Sequence, residues 1–158
     1  MTNKSVSIPV AVELQTRHQG GEPEIRRYAG LLYPKPRGPY LVYEEAGDAG
    51  AGGGEQTRTT VRFADGELKL VRRGAVESEQ TFAAGRVTLG SYRLPNGVFE
   101  LETRTHALRV DTGASDEQGM AAEWQRPLDV TAAWQYDLKL GGEPAGNFEI
   151  RLTIREEV

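Results

Sequence analysis

Cysteine is absent from all 158 residues. That removes disulfide frameworks, thiolate-ligated zinc, iron–sulfur clusters and thiol nucleophiles together. Histidine is nearly absent, with His18 and His106 the whole supply. Zinc sites want three or four ligands with His or Cys prominent, so both histidines read as solvated residues at strand ends and no metal or other cofactor is expected. Long apolar runs are missing too. The opening stretch to Gln15 is interrupted by Pro9 and Glu13, unlike the apolar segment of a signal peptide, and nothing later approaches the ~20 residues of a membrane-spanning helix. The expectation is a cytoplasmic protein without a membrane partner. Positive charge is not in excess either: the formal net charge is −4. Nucleic-acid binders usually carry a basic field, so no nucleic-acid partner is expected. Lysine is confined to Lys4, Lys35, Lys69 and Lys139 while Arg, Gly and Ala abound, a bias that a G+C-rich genome produces unaided.

What the chain does have is strand periodicity from end to end. Val6, Ile8, Val10, Val12 and Leu14 alternate with polar residues, and further segments run Ile25 to Tyr33 and Tyr40 to Glu45. A meander follows over Thr57–Ala64, Glu67–Arg73, Val76–Ala83, Arg86–Leu94 and Val98–Asp111. The two cleanest half-buried patterns come last, from Val130 to Leu140 and from Phe148 to Ile154. Compact joints separate the segments: Gly20-Gly21, Asp65-Gly66, Ala84-Gly85, Asn96-Gly97 and Gly141-Gly142. Asp-Gly and Asn-Gly are the pairs that type I′ hairpin turns favour. The strand from Val98 changes phase, with Phe99, Leu101, Thr103 and Thr105 on one face and Leu108 and Val110 on the other. A β-bulge near His106–Ala107 reconciles the halves.

About eight to ten strands, each with one apolar face, predict a single antiparallel up-and-down β-barrel over residues 1–158, because closure removes sheet edges. Two loops interrupt it. Residues 46–56 are Gly/Ala-rich, and 112–129 holds a Ser115-x-x-Gln118 capping pattern that leaves open a short helix over 115–125.

The segment Leu70-Val71-Arg72-Arg73-Gly74-Ala75-Val76, then Phe82, Gly85, Thr88 and Tyr92, then Gly97 through Thr105, resembles the YwiB-like family of small bacterial proteins. Pro9 to Leu14 and Tyr136-Asp137-Leu138 fit the same pattern. The resemblance implies a calycin-like, that is lipocalin-like, barrel and brings no established catalytic residues. The loops at 46–55 and 112–129 stand as expansions, and the lipocalin Gly-x-Trp signature is missing near the start.

Enzyme motifs fail one by one. Gly90-Ser91-Tyr92-Arg93 lacks the Gly-x-Ser-x-Gly elbow of a serine hydrolase. Gly50-Ala51-Gly52-Gly53-Gly54 lacks the Gly-Lys-Ser/Thr ending of a phosphate loop. The acid pairs Glu44-Glu45, Glu77/Glu79 and Glu100/Glu102 read as charge on a solvated exterior. Arg72 is different. It is in phase with Leu68 and Leu70, so it points inward, where a guanidinium needs either a protein carboxylate or an anionic ligand.

The leading expectation is therefore a non-enzymatic binder of a small amphipathic or apolar ligand. Phe82, Leu101, Thr103, Trp134 and Tyr136 would line the barrel, with Arg72 as polar anchor. One rival is a cofactor-free enzyme using Tyr92, Tyr136, Arg72 and Glu102, as decarboxylases and cyclases of this shape do. Another is a filled barrel acting as a protein-interaction module through its outer surface.

Overall fold

Ten strands run in chain order around one closed barrel in the computed structural model. They are β1 (Ile8–His18), β2 (Glu24–Tyr33), β3 (Tyr40–Glu45), β4 (Thr57–Ala64), β5 (Glu67–Gly74), β6 (Glu77–Ala83), β7 (Val87–Leu94), β8 (Gly97–Asp111), β9 (Asp129–Leu140) and β10 (Glu143–Glu156). The structure describes residues 7–35, 38–45, 56–112, 124 and 127–157. The loop at 46–55 and the capping pattern at Ser115 lie outside them. Each strand pairs antiparallel with its chain neighbours, and β1 closes the ring on β10 from Val10↔Glu156 to His18↔Phe148. The expected all-β barrel is what forms, and the described residues contain no helix.

The phase change in β8 is a bulge, with the β8–β9 register shifting between Thr105 and Ala107. The turns are more varied than their sequences suggest. A type I′ turn needs positive φ at both central residues. Gly66 has φ +72° and Gly85 +77°, but the residues before them, Asp65 and Ala84, stay at negative φ, so neither turn is type I′. Gly141 and Gly142, at +59° and +87°, carry the I′ signs. So do Gln19 and Gly20, where Gly21 N–H donates to the His18 carbonyl at 3.0 Å, one residue earlier than the Gly20-Gly21 joint.

One end of the barrel is filled. Ile8, Leu32, Leu41, Phe63, Leu68 and Ile154 are buried there, and Trp124 stands edge-on to Phe63. The wall is least regular at β6 and β7, whose ladder covers only Glu77–Glu79 against Ser91–Arg93. Beyond it the backbone ladder stops although the strands stay close: the Thr88 hydroxyl donates to the Thr81 carbonyl, while Gln80 reaches β8 directly. Gly90 makes this close approach possible, since a methyl group there would overlap the Glu79 carbonyl oxygen. Gly90→Ala is expected to cost about 1–3 kcal/mol through this clash. Urea unfolding checks it, and an unchanged midpoint would mean that the strands do not approach so closely.

Candidate functional site

At the other end the inward-facing side chains leave a cavity of about 240 Å³. Its walls are mainly apolar: Leu14, Val61 and Leu70 on one side, the Phe82, Trp134 and Tyr136 rings on the other. Those rings form one cluster, with Phe82 4.8 Å from Tyr136 and 5.3 Å from Trp134 between centroids. Stacking continues outward from Tyr136 to Phe148 (5.3 Å) and from Phe148 to the exposed His18 (4.5 Å).

Polar groups gather at the rim. Strand period brings Leu68, Leu70 and Arg72 of β5 to the inside, as expected. The protein itself supplies the guanidinium's partner: Arg72 Nη2 donates to Glu45 Oε1 at 3.0 Å. The Thr59 hydroxyl donates to the other carboxylate oxygen at 2.6 Å. The pair is not deeply buried, with side-chain exposures of 30% for Arg72 and 20% for Glu45. Arg72 Nε is buried and has no acceptor, so the guanidinium is not saturated.

Glu45 is the residue that sequence reasoning placed wrongly. The sequence pattern puts it with Glu44 on the solvated exterior, yet only Glu44 faces out, toward Arg58. The signal was available: Leu41, Tyr43 and Glu45 alternate along β3, and the first two are core residues. Thr59 and Gln80 were likewise missed, although each alternates with buried apolar neighbours, Val61 and Phe82.

Of the six residues expected to form the site, Arg72, Phe82, Trp134 and Tyr136 line the cavity. Leu101 and Thr103 do not. Both are buried on β8, and Thr103 acts from behind by accepting a 3.0 Å hydrogen bond from Gln80 Nε2. Nor does the fold gather the four groups considered for catalysis, because Glu102 and Tyr92 lie away from the cavity that Arg72 and Tyr136 share.

Burial shapes the tyrosines. It pushes the Tyr136 hydroxyl up to about 12, against a smaller downward pull from the Gln80 hydrogen bond. Tyr43 is driven well above its ordinary value by burial and then by the Glu45 charge. Tyr28, stacked on Tyr43 at 4.7 Å, is raised for the same two reasons. All three therefore stay neutral near pH 7, serving as hydrogen-bonding groups rather than bases.

The histidines sit outside this arrangement. His18 Nε2 is 3.3 Å from the Ala145 carbonyl, and His106 Nε2 is 2.9 Å from Asp137 Oδ2 on the outer wall. Asn147 donates to Asp137 as well, and these two hydrogen bonds, Asn147's first, hold that carboxyl below its usual range.

Comparison with known proteins agrees with the barrel and names no activity. A family model described as a domain of unknown function, DUF1934, matches residues 10–152. The uncharacterized beta-barrel protein YwiB of Bacillus subtilis (strain 168) is 34% identical over 85 residues. That alignment spans 54% of this chain and only 56% of the relative. The crystal structure of ywiB protein from Bacillus subtilis is similar with a TM-score of 0.70 at 21% identity, covering 96% of this chain and 94% of that one.

Proposed function

The chain belongs to the DUF1934 family, whose description assigns no activity, and from that premise we propose that the barrel binds one small amphipathic molecule in its interior cavity. The observation that carries this reading is the cavity's division into an aromatic wall and a polar rim. Ligand sites are built this way, with apolar surface giving affinity and a few polar groups fixing orientation. Size narrows the class. A volume of about 240 Å³ lies below the roughly 300–1,000 Å³ of drug-sized pockets, so a long acyl chain does not fit and a single-ring compound does.

The ion pair narrows it further. An anionic head would take Arg72 from Glu45 and leave a partly buried carboxylate unpaired, which is costly. A neutral head that both donates and accepts, such as an amide or alcohol, adds hydrogen bonds without separating the charges. Benzamide is the probe that fits, with benzoate as its charged counterpart. Calorimetric titration is expected to give saturable binding of benzamide that is tighter than that of benzoate. Equal affinities, or no binding of either, would refute the reading.

Variants separate the rim's structural part from its binding part. Arg72→Met alone is expected to destabilise the fold by about 2 kcal/mol, below the ~3–5 kcal/mol of a fully buried broken pair because both partners reach solvent. Arg72→Met with Glu45→Gln should recover most of that stability, since no lone charge remains, and should still bind benzamide more weakly than the unsubstituted chain. Denaturant unfolding and the same titration read both effects.

A further inference from the structure

The outer wall over β8, β9, β10 and β1 carries a depression of about 510 Å³ that shares only Trp134 and Ile150 with the interior cavity. Register builds it. Ala133 of β9 lies between Arg109 of β8 and Arg151 of β10, and Arg151 pairs with Gln15 of β1. The next outward row runs Ala107, Gln135, Glu149, Arg17 across the same four strands. Two alanines give a floor without bulk, and the β8 bulge at Thr105/Ala107 puts one of them in place.

The charge around this floor is predominantly positive. Arg27, Arg58 and Arg93 on the exterior each meet a carboxylate across the sheet: Glu13, Glu44 and Glu77. Arg109 and Arg151 instead share an alanine, and neither has an ion pair among the described residues. Arg17 reaches Glu149 at a loose 3.6 Å, and its Nε is buried without an acceptor. Three guanidiniums thus face one lining carboxylate, on a chain whose net charge is −4.

We propose that this depression is a binding site for a small multivalent oxyanion. Strands stand about 4.8 Å apart, so the Arg109 and Arg151 backbones are about 10 Å apart, with Arg17 one strand over and about 7 Å along. A monovalent anion reaches one or two of these forks. A chain of two or three phosphate or carboxylate groups reaches all three, and each guanidinium can take two oxygens in parallel. Gln15 and Gln135 add neutral donors at the same floor.

Inorganic triphosphate is the direct probe, with citrate and orthophosphate beside it, titrated calorimetrically into the full chain at low ionic strength where exposed charges are least screened. One equivalent of triphosphate is expected to bind at least tenfold more tightly than orthophosphate. Citrate binding as well as triphosphate would mean that charge spacing is read, and citrate failing would mean that phosphate geometry is read; either supports the site. Arg109→Ala with Arg151→Ala should weaken triphosphate binding at least tenfold with an unchanged melting temperature, because both side chains are exposed. Glu149→Gln should tighten it several-fold by removing the competing carboxylate. Triphosphate binding no tighter than orthophosphate, or unaffected by the double substitution, would overturn the proposal.

Discussion

Phe82→Ala is expected to lower the unfolding free energy by about 3–5 kcal/mol, the range for deleting a fully buried aromatic ring. Phe82 is 1% exposed and is the point where the Trp134 and Tyr136 rings meet. Those neighbours are anchored on β9, and a void already lies beside them, so collapse into the lost volume is limited. The penalty should fall at the upper end of the range. On a chain of this size it corresponds to a melting temperature lower by roughly 10–20 °C. Urea unfolding would show a shifted midpoint at unchanged slope. A loss below about 1 kcal/mol would mean that the cluster is not packed as described.

High pH should destabilise the fold through the same cluster. The folded Tyr136 hydroxyl sits at about 12 against an ordinary value near 10, and burial is the main cause. A group whose folded pKa is raised contributes stability that is complete below its unfolded pKa and is lost as pH climbs through the folded one. The loss therefore falls between about pH 10 and pH 12 and amounts to about 3 kcal/mol in full. Tyr43 adds a loss of the same sign. Tyr136→Phe should flatten the decline over that window, leaving the part due to Tyr43 and Tyr28. A variant whose stability falls as steeply as that of the unsubstituted chain would assign the effect elsewhere.

Both effects rest on faces that alternation reveals. Strand period in Leu68-Lys69-Leu70-Val71-Arg72 was enough to place Arg72 inside, and the phase change after Thr105 was enough to place the bulge. Glu45 escaped because a charged residue at a strand end reads as solvated until its pairing partner is known. The partner lies on β5, two strands away, where no local pattern reaches. Turn type escaped at Asp65-Gly66 because an Asp-Gly pair is compatible with either sign of φ at Asp, and here only Gly66 takes the positive one. The early end of the β6–β7 ladder was not legible either, since period assigns side chains to faces and says nothing of which backbone groups pair. The cavity is the furthest from sequence of all. It is the small difference between the volume that ten strands enclose and the volume that their inward side chains fill, and one or two larger inward side chains would fill it.

The most direct measurement is the NMR spectrum of the chain during a benzamide titration, read at the Trp134 indole N–H and at the Phe82 and Tyr136 ring protons. Binding in the barrel predicts saturable shifts at these three groups with one common dissociation constant. Arg72 Nε–H should move with them as the ligand's polar end arrives. Shifts confined to the outer wall, or growing linearly without saturation, would contradict an interior site.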